Sequence, residues 1–63
     1  MGLNERQVKA VLYVVENGKI TNKEYQEVLN VARRTATRDL TELVEKGILK
    51  SSETKGAGTY YEI

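Results

Sequence analysis

Sixty-three residues with ten Lys and Arg against nine Asp and Glu give a formal net charge of +1, and the chain has no cysteine, histidine, proline or tryptophan. A chain this short hides only about 60% of its unfolded surface, so it builds one modest core. The missing cysteine and histidine exclude disulfides, thiol chemistry and the usual structural zinc sites, so no metal or cofactor is expected. No apolar run nears the ~20 residues that span a bilayer, and Met1–Arg6 does not read as a signal peptide, so a cytoplasmic location and no membrane partner are expected.

Along the chain, the first start signal is Asn4, with Gln7 three residues on to complete a capping box and Leu3 with Val8 as a hydrophobic staple. Val8, Val11, Leu12 and Val15 are expected as the buried stripe of this first helix, and Asn17-Gly18 as its end. Three valines weaken helix propensity, so burial has to hold the segment helical. Lys19-Ile20 makes a two-residue extended connection. The same start grammar then recurs: Thr21 is the cap, Glu24 its box partner, and Ile20 with Tyr25 the staple. A short helix over about 22–29 is expected to bury Tyr25, Val28 and Leu29. Asn30 tolerates a left-handed turn, Val31 plugs the corner, and a third helix starts near Ala32 or Arg33.

That third helix has two unlike sides. Ala36, Leu40, Leu43 and Val44 fall on one apolar stripe, whereas Arg34, Thr37, Arg38 and Thr41 recur at i, i+3, i+4 and i+7 on roughly the opposite side. Arg33, Arg34 and Arg38 precede any acid, since the first is Asp39. Cations at a helix N-terminus oppose its dipole by a few tenths of a kcal/mol each, which is poor design unless something negative docks there. Gly47 ends the helix. Ile48–Ser52 and Thr59–Ile63 then read as two strands, joined by a glycine-bearing loop over 53–58. Tyr61 and Ile63 are expected to point inward and Tyr60 and Glu62 outward. The fold class expected is mainly α with a small β-hairpin: three helices plus a two-stranded wing, a winged helix-turn-helix.

Nothing supplies a catalytic constellation. Lys55-Gly-Ala-Gly58 lacks the spacing of a phosphate loop and has no helix after it. The carboxylates are scattered over helical surfaces, where pairs such as Glu42 and Lys46 have an ordinary salt-bridge reading. No enzyme is therefore expected. Double-stranded DNA is the partner that fits, with helix 33–46 in the major groove and the 53–58 wing on the backbone. Arg34 and Arg38 are the candidates for base edges or phosphates, Thr37 and Thr41 for a thymine methyl or phosphate, Arg33 and the wing residue Lys55 for phosphates. Lys50 and Lys23 are open between backbone contact and a solvated surface. The near-zero net charge keeps open an alternative class, a protein-interaction or regulatory winged helix.

The runs Leu3–Gln7, Gly18–Tyr25, Arg33–Leu40 and Leu43–Leu49 together resemble a prokaryotic winged-helix family. That family occurs at the C-termini of transcriptional regulators with a Schlafen/AlbA-type N-terminal domain, sometimes described as helicase-related, and of Fic-domain proteins. Thr37-Arg-Asp-Leu40 is also similar to DeoR-type helix-turn-helix domains. The resemblance covers almost the whole chain and implies that residues 1–63 are a single DNA-binding domain, a fragment of a larger cytoplasmic regulator. In a Fic protein it implies a catalytic histidine outside these residues. One such module alone binds weakly, which leaves room for a homodimer through this or a missing domain. The chain departs from the family at Ala32, where serine usually caps the recognition helix, and at Ala57, where the wing often carries arginine.

Overall fold

The computed structural model describes residues 2–54 and 58–63. Three helices, α1 (Glu5–Asn17), α2 (Asn22–Leu29) and α3 (Arg33–Glu45), are joined by three short strands, β1 (Ile20–Thr21), β2 (Lys50–Thr54) and β3 (Gly58–Glu62). Both capping boxes form. The Asn4 side chain accepts from the Gln7 amide and Gln7 Oε1 accepts from the Asn4 amide, at 2.8 and 3.0 Å. Thr21 and Glu24 repeat the exchange at 3.1 and 2.9 Å. Each box satisfies two amide donors that a helix start otherwise leaves without partners. α1 stops at Gly18, whose φ of 91° suits a residue without Cβ and whose amide donates to the Val14 carbonyl.

The sequence predicts Lys19-Ile20 as a two-residue extended connection between α1 and α2, and a wing of two strands. Instead Ile20 and Thr21 form β1, which pairs antiparallel with β3, opposite Tyr61 and Tyr60. The sheet is three-stranded in the order β1-β3-β2, so β3 has a partner on both edges. Two residues carry no periodicity, and only the return of β3 gives them a ladder to join.

The core gathers Ala10 and Val14 from α1, Ile20, Tyr25, the α3 residues Ala36, Leu40 and Leu43, and Leu49. Leu29, Val31, Val44 and Tyr61 pack at its margin. The α3 stripe is the one expected from spacing. The α1 stripe is not: Val8, Leu12 and Val15 are exposed, and the helix buries Gln7, Ala10 and Val14, with Val11 half-buried between the two sets. Both sets have helical spacing, and the greater hydrophobicity of the valines and leucine favoured the wrong one. Ala10 lets α1 approach its neighbours closely, and buried Gln7 is fully hydrogen-bonded, so the less apolar face packs inward. Val28 and Ile63, both expected inside, are exposed as well.

Candidate nucleic-acid interface

The turn between α2 and α3 is set by Asn30, which closes α2 in the left-handed conformation at φ 54° and ψ 54°. Its amide donates to Gln26 O, and the Val31 amide does the same at 3.1 Å. Val31 turns back toward the core while Ala32 leads into α3 with extended backbone. Ala32 occupies the cap position without a side-chain acceptor, and no acid lies in the first turn of α3. This helix start therefore combines uncapped amides with two arginines, a combination that favours an anion.

α3 buries Ala36, Asp39, Leu40 and Leu43. Arg33, Arg34, Thr37, Arg38 and Thr41 are all exposed, and the last four share the outward face. Thr37 is already engaged across the helix pair: its hydroxyl accepts from Asn22 Nδ2 at 3.0 Å, and Asn22 Oδ1 accepts from Gln26 Nε2 at 2.7 Å. This chain ties the start of α2 to the exposed face of α3. Asn22 carried no sequence signal beyond its place after the Thr21 cap. Lys23, next to it, is exposed, as is Lys50 on β2. Lys55 and Ala57 of the wing lie outside the described residues. Tyr60, expected to point outward, is half-buried, with the Lys19 ammonium 4.9 Å from the centre of its ring.

What holds α3 in place is a buried polar cluster around Asp39, a residue whose type alone suggests a surface acid. Asp39 is 1% exposed. Its carboxylate accepts from Tyr25 OH at 2.7 Å, from Arg6 Nε at 2.8 Å and Nη2 at 3.3 Å, and from Asn4 Nδ2 at 3.4 Å. Burial opposes its charge, but the hydrogen bonds from Arg6 and Tyr25 and the nearby guanidinium prevail, and the carboxyl titrates below its usual range. Burial and the bond to Asp39 push the Tyr25 hydroxyl well up. Gln7 Nε2 adds bonds to the Asp39 carbonyl at 3.2 Å and to Glu42 Oε2 at 2.8 Å. All three helices thus converge on one turn of α3. A signal did exist: Asp39 lies three residues after Ala36 and four before Leu43, inside the register of the buried stripe.

Away from α3, Tyr13 OH donates to Glu24 Oε2 at 3.0 Å, tying α1 to the start of α2. Glu24 titrates below its usual range, chiefly because the Thr21 amide donates to it. Among the described residues no helix is long and apolar enough to cross a membrane.

A helix, a left-handed turn and a longer helix, backed by α1 and flanked by a small antiparallel sheet, define the class: a winged helix-turn-helix. The family is equally definite. Residues 6–53, well over half of the chain, match the DeoR-like helix-turn-helix domain, and the chain belongs to that family. No curated protein and no solved structure matches it. A helix-turn-helix domain points to DNA binding and to a regulatory rather than catalytic role.

Proposed function

We propose that this chain is the sequence-specific DNA-binding module of a transcriptional regulator, with α3 in the major groove. One observation carries the reading. Arg34, Thr37, Arg38 and Thr41 form a single exposed face on a helix whose opposite face is buried, at an uncapped start that Arg33 also lines. Arg34 and Arg38 take guanine edges or phosphates, Thr37 and Thr41 a thymine methyl or a phosphate, and Arg33 the backbone. The 53–58 wing, through Lys55, follows the adjacent backbone. Asn22, by holding the Thr37 hydroxyl, fixes which way that side chain meets a base.

A single module binds DNA of arbitrary sequence weakly, at roughly 10⁻⁴ to 10⁻⁶ M. Useful affinity then comes from a homodimer or from a partner domain in a larger chain. The resemblance to winged helices at the C-termini of Schlafen/AlbA-type regulators and Fic proteins supports that larger, prokaryotic and cytoplasmic setting. A second reading, a protein-interaction winged helix, draws support from the net charge of only +1 and from the apolar residues exposed on α1. The variant Arg34→Ala/Arg38→Ala separates the two. Groove docking loses both affinity for duplex DNA and part of its salt dependence in this variant, whereas indifference to the change favours the interaction module.

A further inference from the structure

The outer face of α1 has no role in the core or in the proposed DNA contact. Val8, Leu12 and Val15 recur at i, i+4 and i+7 and are 45%, 57% and 64% exposed. Leu12 continues into an open groove lined with Lys9, Tyr13, Glu16 and, from α2, Val28. Val28 is itself 46% exposed, so one apolar patch spans two helices. Isolated apolar residues on a surface need no explanation; a contiguous patch with charged residues at its edge marks an interaction site.

We propose that a second copy of this chain covers the patch, through antiparallel packing of α1 on α1 about a two-fold axis at Leu12. The sequence of the stripe matches itself under that operation. Val8 lies four residues before Leu12 and Val15 three after, so Val8 of each helix meets Val15 of the other to within one residue, about 1.5 Å along the axis. Lys9, three before, and Glu16, four after, stand together on one flank of the stripe. A two-fold axis perpendicular to the helices keeps flanks together, so Lys9 of each copy faces Glu16 of the other. Two such pairs form symmetrically, with opposite charges opposed and the two Leu12 side chains at the centre. A parallel arrangement, whose two-fold axis runs along the helices, instead sets the Lys9 and Glu16 flank of each copy against the Val8 and Val15 flank of the other. The interface is isologous, as most homodimers are.

The geometry leaves α3 free. α1 and α3 pack through their buried faces, Gln7, Ala10 and Val14 on one and Ala36, Asp39, Leu40 and Leu43 on the other. Their exposed faces are therefore turned away from each other, and pairing through α1 covers none of Arg34, Thr37, Arg38 or Thr41. The proposal gives a surface to the homodimer raised above, does not rest on DNA contact, and is tested without DNA.

The test is sedimentation equilibrium of the 63-residue chain up to about 1 mM, the weak end of measurable association. Wild type is expected to show a reversible monomer–dimer equilibrium that Leu12→Glu abolishes. Lys9→Glu and Glu16→Lys are each expected to weaken it several-fold, and the double reversal to restore it, because only self-pairing brings those two positions together. Far-UV circular dichroism confirms that the variants fold, as substitutions at exposed positions should. A wild type that stays monomeric throughout overturns the proposal, as does a dimer indifferent to Leu12→Glu, or charge reversals that the double variant fails to rescue. The first of these outcomes leaves the patch to a different protein.

Discussion

Asp39→Asn removes one negative charge from the point where α1, α2 and α3 meet and changes the shape of the side chain very little. The carboxylate accepts two short bonds, from Tyr25 OH at 2.7 Å and Arg6 Nε at 2.8 Å, and two longer ones. A carboxamide has one acceptor oxygen, and its NH2 group displaces the other. Both short bonds fall on one oxygen, Oδ2, so an amide oxygen placed there keeps them but without the negative charge, while the NH2 takes the place of Oδ1 and faces two donors, Arg6 Nη2 and Asn4 Nδ2. Replacing a charged acceptor by a neutral one, with both bonds at Oδ1 broken, costs about 1.5–3 kcal/mol. The Arg6 side chain is 43% exposed, so water competes for it and the ion pair itself adds little. The expected destabilisation is about 2–3 kcal/mol, against the roughly 3–9 kcal/mol that holds a chain of this length. In a domain this small that lowers Tm by about 10–20 °C.

The same variant carries a pH signature. Asp39 titrates below its ordinary range in the folded chain, so its contribution is fully present above the unfolded-state value, near pH 4. It is lost as pH falls from there through the lower folded-state value. Asp39→Asn has no such contribution to lose. Melts of wild type and variant, followed by circular dichroism from pH 7 to pH 2.5, are therefore expected to converge at the acid end. A variant melting within about 2 °C of wild type at pH 7, a quarter of a kcal/mol to half of one, refutes the assignment. So does a gap that stays constant across the whole pH range.

Three further outcomes follow from the helix ends and the core. Ala32 has the extended backbone of a cap residue but no side-chain acceptor, so Ala32→Ser is expected to stabilise the fold by about 1 kcal/mol in denaturant titrations at constant m-value. Asn30→Val places a β-branched residue at φ 54° and is expected to cost about 1–3 kcal/mol in the same titration, whereas Asn30→Gly leaves stability nearly unchanged. Leu40→Ala, at a fully buried position of α3, is expected to cost about 2–5 kcal/mol.

Local signals reached the structure intact where the deciding interaction lies within a few residues. Both capping boxes, the left-handed Asn30 and the α3 stripe are of this kind, and all are found where the sequence put them. The α1 stripe failed because two sets of positions one residue apart share helical spacing. Choosing between them needs to know that Asp39, more than thirty residues away, will claim Gln7 and Arg6. β1 failed for a related reason: two residues become a strand only when β3 arrives beside them. The candidate interface was more legible than the core. An exposed helix face is marked by what it carries, and Arg33, Arg34, Thr37, Arg38 and Thr41 all emerge on the surface. Asn22, which reaches Thr37 from another helix, depends on tertiary placement and left no trace in the pattern.

The central claim, that α3 docks into duplex DNA, is tested most directly by fluorescence anisotropy of the chain against a labelled random-sequence duplex at ~50 and ~200 mM salt. With three phosphates neutralised, the fourfold rise in salt is expected to weaken binding about 40-fold. Absence of binding at the lower salt, from a sample that circular dichroism shows to be folded, contradicts the account, as does affinity that hardly changes between the two salts.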